Sequence, residues 1–248
     1  MADYRDRYII ALAPSKLSLL WTLAAKWLAY DAASKRSVKE PETLGLPQNI
    51  HNPTVSPIRR SGFGILLSGP FQLHRALSVE DLINYVDAFA EQQEPMNSGK
   101  LNIRAIENRL YMEPLRNSPK IRNLADECVR YFHKFRMPSK ELPANSPIRK
   151  ALTAPQLEHY LKWGQPYVFD EFKQQIPLTA RLPDQVVKAM QVRLSNHFGN
   201  SLNGGLKVDN LTLFRQPDNL QPAEMIHQAD FMLDTNNEPI TLPVIKTG

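Results

Sequence analysis

Segments with the spacing of strands and of helices alternate along this 248-residue chain, and none of them is a long apolar run. Arg7–Ala13 is predicted to be a strand, and from about Ser15 the apolar residues recur at helical spacing. Strands buried on both faces of a parallel sheet would be continuously apolar. We therefore predict an α+β fold, in which antiparallel, half-exposed sheets carry helices on their outer sides.

The remaining elements are predicted from caps, turns and periodicity. They are a strand at 63–71, a helix capped by Ser78, a hairpin at 101–115 around Glu107-Asn108, a helix at about 120–135, a helix from Thr153 to Trp163-Gly164, an extended segment at 167–182, a helix containing Val186 to Phe198, and strands at 206–214 and 229–234. Residues 34–60 are polar, contain four prolines and end in Arg59-Arg60. We predict a long loop there, of a kind that often forms a lid or an arm.

Composition narrows the classes of partner and compartment. Lys and Arg total 30 against 25 Asp and Glu, a net charge of +5 that suits an anionic partner but falls short of a dedicated nucleic-acid binder. One cysteine, Cys128, excludes an internal disulfide and a cysteine-based zinc cluster. The most apolar stretch, 17–30, contains Lys26 and is too short to span a bilayer. We expect a cytoplasmic protein with no cofactor, no metal and no membrane contact.

Two segments share a pattern that suggests internal symmetry. Gly64–Phe71 and Gln175–Leu182 both read x-Ile-x-Leu-[Ser/Thr]-small-x-apolar, and a helix is predicted after each. Such a repeat predicts a single bilobal domain over 1–248, with segment 61–71 in the first lobe and segment 172–182 in the second. We expect the two segments to lie side by side at a central cleft.

At these segments the chain resembles the two-histidine phosphoesterase superfamily, and more closely a bacterial family of phosphonate-metabolism proteins often encoded beside carbon–phosphorus lyase genes. The likeness runs through nearly the whole chain and includes Arg7-Tyr8, Leu20-Trp21, Gly62-Phe63, Pro70-Phe71 and Trp163-Gly-Gln-Pro-Tyr-Val168. The resemblance implies two antiparallel sheets lining a central cleft, with helices outside.

The superfamily's chemistry depends on two His-x-Thr/Ser motifs that face each other across that cleft. One imidazole accepts a proton from the attacking group, and the other donates one to the leaving oxygen. At the matching positions this chain has Gly64 and Leu66 in the first motif, and Gln175 and Pro177 in the second. None of these side chains titrates near neutral pH. The resemblance therefore implies the fold without the activity, and we predict no catalytic residue.

Candidate ligand-binding residues remain near the two motifs. They are Arg59, Arg60, Ser68, Arg136, Tyr167, Gln175, Thr179 and Arg181. Arginine binds phosphate through two parallel hydrogen bonds, and Ser68 and Thr179 lie two residues beyond the lost hydroxyls, which in a regular strand is the same face. The alternatives are ordinary strand hydroxyls, unpaired surface arginines and a Tyr167 that only packs.

Three functions are compatible with these residues. The first is a degenerate phosphoesterase-like protein that binds a phosphorylated small molecule or an RNA end without cleaving it. The second is a protein–protein interaction or assembly subunit with a vestigial cleft. The third is a phosphoester enzyme with a relocated site, although no pair among the six histidines has metal-ligand spacing.

Overall fold

The computed structural model describes residues 6–39, 48–138, 143, 145–217 and 220–232. These residues contain the helices α1 (Leu19–Leu28), α2 (Gln48–Ser61), α3 (Val79–Ala90), α4 (Pro119–Phe132), α5 (Pro147–Ala151), α6 (Ala154–Trp163), α7 (Asp184–Phe198) and α8 (Ser201–Gly204). Their strands are β1 (Arg7–Leu12), β2 (Tyr30–Asp31), β3 (Arg36–Ser37), β4 (Ile65–Gln72), β5 (Met96–Asn97), β6 (Leu101–Ile106), β7 (Arg109–Pro114), β8 (Ile176–Pro177), β9 (Lys207–Val208), β10 (Asn210–Gln216) and β11 (Glu224–Asp230).

Two sheets form the framework, and every pairing in them is antiparallel. The first has the order β11-β10-β1-β4, and the second has the order β6-β7-β8. Two short ribbons, β2-β3 and β5-β9, accompany them. The predicted α+β fold with antiparallel sheets is confirmed. β4 and β8, which carry the two motif segments, are edge strands of different sheets.

The two sheets share one continuous core. Ile10 and Leu12 of β1 are buried together with Leu110 and Met112 of β7 and with apolar residues of α3, α4 and α7. The alternate residues of β1, including Ile9, point to the other face and pack in a smaller cluster around Phe214 and Trp21. β1 is therefore apolar on both faces, as expected for a central strand with packed residues on each side.

Caps and turns define the ends of the elements as the sequence predicts. Ser78 forms a reciprocal capping box with Asp81 at the start of α3, and Thr153 does so with Gln156 at the start of α6. Gly164 ends α6 in the left-handed region, with φ of 70°. The β6-β7 hairpin turns at Glu107 and Asn108, whose φ values are 48° and 61°.

The predicted loop at 34–60 is wrong for its second half. Residues 48–61 form α2, and residues 40–47 lie outside the described residues. His51, Val55 and Ile58 recur at helical spacing and are buried, whereas Pro53 and Pro57 are four residues apart on the exposed side. The prolines lower the helix propensity, but burial of the opposite face outweighs their cost.

The lobes do not correspond to halves of the sequence. The first sheet combines β1 and β4 with β10 and β11 from the far end of the chain, and the second sheet is built from its middle. β4, in segment 61–71, and β8, in segment 172–182, belong to different sheets. A simple tandem repeat does not account for this topology, because the last two long strands return to the first sheet.

Candidate functional site

A cleft of about 900 Å³ lies between the edge strand β4 and the second sheet. The loops before and after α6 close one side of it. The residues that line it are Leu66, Leu67, Gly69, Pro70, Ile106, Glu107, Arg109, Tyr111, Ala151, Thr153, Gln156, Gly164, Gln165, Pro166, Tyr167, Phe172, Lys173, Gln175 and Pro177. Its position between two sheet edges makes it the candidate functional site.

Three of the four motif positions line this cleft. Leu66 comes from β4, Pro177 comes from β8, where it pairs with Tyr111, and Gln175 directly precedes β8. The segments thus meet across the cleft from opposite sheets, and β4 and β8 are not hydrogen-bonded to each other. Gly64 is not among the lining residues, and a Cβ at this position would point to β1, 2.8 Å from the Leu12 carbonyl oxygen.

Ser68 does not share the face of Leu66. Ala11 pairs with Leu66 and the adjacent Ile10 pairs with Ser68, so β4 contains one extra residue, Leu67, at this point. The resulting bulge interrupts the strand's alternation and turns Ser68 to the face opposite that of Leu66. Ser68 is 3% exposed, and its hydroxyl accepts a hydrogen bond from Nε2 of Gln165 at 3.0 Å. Its expected position beside the lost hydroxyl is therefore corrected.

Thr179 is likewise a structural hydroxyl. It is 2% exposed, and its Oγ1 accepts a hydrogen bond from the Leu110 backbone amide at 2.9 Å. The neighbouring Leu178 amide donates to the Leu110 carbonyl at 2.8 Å. These two bonds continue the β7-β8 pairing beyond the end of β8, so Thr179 fixes the second motif segment and does not face the cleft.

The predicted arginines also lie outside the cleft lining. Arg136 donates to the carbonyls of Trp163 and Gly164, so it caps the end of α6, and its burial lowers its pKa. Arg59 donates to the Leu28 carbonyl and joins α2 to the end of α1. Arg60 lines a separate groove, and Arg181 is exposed but not a lining residue. These four arginines are close to the motif segments in sequence, but their guanidinium groups do not line the cleft.

Two cations that the sequence analysis did not single out line the cleft instead. Arg109 follows the β6-β7 turn, and Lys173 precedes β8. Leu110 and Met112 of β7 are buried, so strand alternation brings Arg109 and Tyr111 to the opposite, cleft-facing side. The signal was present in the sequence, because the predicted turn and the apolar alternation of 109–113 together fix that side.

Aromatic and amide groups complete the lining. Burial raises the pKa of Tyr111, although nearby Arg109 opposes the rise, whereas Tyr167 is 59% exposed at the margin. Gln165 bridges two walls, since its Oε1 accepts from the Gly69 amide at 2.6 Å while its Nε2 donates to Ser68. The side chain thereby covers the free edge of β4. Of the predicted ligand-binding residues, the structure brings Tyr167 and Gln175 into the cleft.

No histidine lines the cleft, although all six lie within the described residues. Two histidine–carboxylate pairs occur elsewhere, His159 with Asp170 at 3.3 Å and His227 with Asp87 at 2.6 Å. In the described part of the chain, no three His, Cys, Asp or Glu side chains are grouped so that they could hold a metal ion. Glu107, at the hairpin turn, is the one carboxylate among the described lining residues. The cleft is therefore equipped for binding through cations, amides and aromatic rings.

Comparison with known proteins gives the family. The family described as "Protein of unknown function (DUF1045)" matches residues 66–224, a range that begins within the first motif segment and includes the whole of the second. The chain belongs to this family. It is also 26% identical over 219 residues to a ribose 1,5-bisphosphate phosphokinase PhnN of Janthinobacterium sp. (strain Marseille), covering 87% of this chain and 48% of that protein.

A second relative gives the same pattern. The protein of the same name from Laribacter hongkongensis (strain HLHK9) is 26% identical over 216 residues, which cover 86% of this chain and 48% of the relative. This DUF1045 chain thus spans about half the length of the curated relatives it matches. Their shared name agrees with the predicted likeness to a phosphonate-related family. Among the described residues, no helix is both long and apolar enough to cross a membrane.

Proposed function

We propose that this DUF1045 chain is a degenerate relative of the two-histidine phosphoesterases, and that its cleft binds a phosphorylated small molecule without hydrolysing it. The observation that carries the proposal is the meeting of Leu66 with Gln175 and Pro177 across one cleft. In the superfamily that the sequence resembles, the two His-x-Thr/Ser motifs meet in this way. Here three of the four aligned positions line the cleft, and their side chains are those of a leucine, a glutamine and a proline.

Loss of hydrolysis follows from these replacements. One general acid or base typically contributes about 10²- to 10⁴-fold to a reaction rate, and here both are absent together with both hydroxyls. None of the described lining residues is a histidine, and neither histidine–carboxylate pair lines the cleft. Among the described lining residues, no histidine–carboxylate pair is therefore available for a relocated acid–base site.

The lining that remains suits a phosphorylated ligand. Arg109 and Lys173 supply the positive charge, and a guanidinium can hold two phosphoryl oxygens at once. Gln156 and Gln175 offer amides that can donate to or accept from sugar hydroxyls. Tyr111 presents a partly buried ring on the same side as Arg109. The cations are thus available for the phosphate, the amides for the hydroxyls and the apolar surface for the carbon ring of a sugar phosphate.

The names of the relatives suggest which sugar. Both are named for ribose 1,5-bisphosphate, and this chain matches about half of each. The chain has no Gly-x-x-x-x-Gly-Lys-[Ser/Thr] segment, the common phosphate-binding loop of nucleotide-dependent phosphoryl transfer. We infer that the matched half recognises a phosphorylated pentose, and that phosphoryl transfer belongs to the half of the relatives that this chain does not match.

Calorimetric titration tests the proposal. Ribose 1,5-bisphosphate, ribose 5-phosphate, ribose and a short RNA with a terminal phosphate are titrated into the wild type and into Arg109→Gln and Lys173→Gln. Lys188→Gln, on the exposed side of α7, removes the same charge away from the cleft. We expect pentose phosphates to bind and both cleft variants to weaken them, with Lys188→Gln unchanged. Binding that depends on neither cleft residue would refute the proposal.

Assembly with another protein is the second candidate. The observation that favours it is that both relatives join the matched segment to further sequence, so that in them this segment lies beside another part of the protein. Size-exclusion chromatography with light scattering, with and without a ribose-phosphate kinase, would detect a stable complex. A complex whose formation is unaffected by Arg109→Gln and Lys173→Gln would favour assembly over cleft binding.

A further inference from the structure

Three consecutive residues, Gln165, Pro166 and Tyr167, form a strap along one side of the cleft. The strap runs from the end of α6 to Val168, which is 2% exposed, and all three of its residues line the cleft. Gly164, which has no Cβ to restrict its backbone, precedes it. A change in the conformation of the strap therefore changes the width of the cleft.

Both ends of the strap are fixed to the rest of the protein. Just before it, Arg136 donates to the carbonyls of Trp163 and Gly164. Just after it, Nη1 of Arg122 donates to the Phe169 carbonyl at 2.8 Å. These arginines come from α4 and from the residues that follow it, so the same part of the fold holds both ends. Movement is thereby confined to the three residues between them.

The middle of the strap is attached to β4 through one side chain. Oε1 of Gln165 accepts from the Gly69 amide at 2.6 Å, and Nε2 donates to the Ser68 hydroxyl at 3.0 Å. Within the described part of the chain, the backbone of the strap makes no hydrogen bond to another backbone group, and Tyr167 is 59% exposed. Gly69 is half-buried, so water can replace Oε1 at its amide when the Gln165 side chain leaves.

We propose that Gln165 is the latch of a movable strap, which closes the cleft wall against β4 and opens when the two hydrogen bonds of Gln165 break. The open strap widens the entrance of the cleft, and the closed strap presents Pro166 and Tyr167 to a bound ligand. The consequence for binding rests on the proposed function. If the closed form binds the pentose phosphate, the apparent affinity is reduced by the fraction of molecules that are open.

The distance between two spin labels reports the position of the strap without any ligand. The full-length chain is labelled at Tyr167→Cys and at Asn84→Cys, the second on the exposed side of α3. Cys128 is buried, and burial raises the pKa of its thiol, so it does not compete for the label. We expect one distance in this background. Gln165→Ala should raise the ratio of open to closed straps roughly 5- to 100-fold, as for the loss of two neutral hydrogen bonds, and so add a second, displaced distance.

Three further variants distinguish a latch from a general loss of structure. Gln191 also binds an edge strand, because its Nε2 donates to the Ile103 carbonyl of β6 at 2.7 Å, and Gln191→Ala should leave the distance unchanged. Gln165→Glu retains an acceptor for the Gly69 amide and for the Ser68 hydroxyl, and should keep the single distance. Ser68→Ala removes one of the two partners and should give a smaller displaced fraction. It keeps the test decisive if circular dichroism shows that Gln165→Ala does not fold.

A single, unchanged distance in both Gln165→Ala and Ser68→Ala would overturn the proposal, as would an equal displacement in Gln191→Ala. Ribose 5-phosphate is then titrated calorimetrically into the unlabelled wild type, Gln165→Ala and Gln191→Ala. We expect weaker binding in Gln165→Ala alone, in proportion to its smaller closed fraction. Equal affinity in all three would overturn the regulatory role of the strap. Absence of binding from all three would refute the proposed function, and the distances would still decide whether the strap moves.

Discussion

Gly64, which aligns with the first motif histidine in the proposed resemblance, is expected to contribute to the stability of the fold. A Cβ at this residue would lie 2.8 Å from the Leu12 carbonyl oxygen and 3.3 Å from the Ala11 Cβ. The oxygen belongs to backbone that is hydrogen-bonded within the first sheet, so it cannot rotate away as a side chain can. Overpacking of this kind typically costs about 1–3 kcal/mol.

Gly69 provides the matched control, because it lies five residues further along the chain, within β4. A Cβ at Gly69 would meet only Oε1 of Gln165, at 3.6 Å, an ordinary contact. Replacing glycine by alanine where the backbone permits it stabilises a protein by about 0.4–1 kcal/mol, through the unfolded chain. We therefore expect Gly64→Ala to lower the free energy of unfolding by about 1–3 kcal/mol and Gly69→Ala to leave it equal or slightly higher.

Thermal and urea unfolding of the two alanine variants beside the wild type measure this difference. For a chain of this size, 1 kcal/mol corresponds to about 2–4 °C in Tm. Gly64→Ala should melt several degrees below the wild type, and Gly64→His further below because its larger side chain must also be accommodated. Equal Tm values for Gly64→Ala and Gly69→Ala would show that β1 and β4 separate easily, and the steric argument would fail.

Three further predictions concern the two motif segments and a buried histidine. Linear and 2′,3′-cyclic phosphodiesters should not be hydrolysed above background, and turnover that survives repurification but disappears in Gln175→Ala would contradict this. Thr179→Val should lower the free energy of unfolding by about 1–3 kcal/mol, because the buried Leu110 amide then loses its acceptor at 2.9 Å. An unchanged urea unfolding curve would count against a structural role for the Thr179 hydroxyl. Burial lowers the pKa of His197 below its usual value of 6.5, although the hydrogen bond to the Leu23 carbonyl opposes the shift. Below about pH 6.5 the unfolded chain therefore binds more protons at this residue than the folded chain. The free energy of unfolding should decrease as the pH falls through this range. Replacement of His197 by Gln should flatten that part of the pH dependence of unfolding, and an unchanged slope would assign it to other groups.

Much of the fold could be predicted from local sequence signals, because caps and turns are determined by residues that are close together in the chain. The capping boxes at Ser78 and Thr153, the turn at Glu107-Asn108 and the left-handed Gly164 all depend on near neighbours. The strand predicted at 229–234 begins earlier, as β11 at 224–230, because its pairing with β10 sets its position. Pairing across the chain is not encoded in a local pattern.

The candidate site was harder to predict for the same reason. The bulge that turns Ser68 away from Leu66 depends on the register with β1, and period-two alternation alone does not reveal it. Arg136 donates hydrogen bonds to two carbonyls at the end of α6. The residues next to Arg136 in the sequence do not indicate this structural role. Arg109, in contrast, could have been found from the hairpin and its alternation.

The residues at the four positions that align with the motifs fit their places in the fold, so the proposed loss of both motifs is compatible with the structure. Gly64 allows β4 to approach β1 as closely as the Leu12 carbonyl requires. Pro177 lies in β8, an edge strand, where a residue without an amide hydrogen leaves no ladder bond unmade on its open side. Thr179 and Gln165 then hold the two edges through hydrogen bonds to Leu110 and to Gly69. The two edges that border the cleft are thus hydrogen-bonded to groups of the protein itself, and a space of about 900 Å³, lined by Arg109 and Lys173 among others, lies between them.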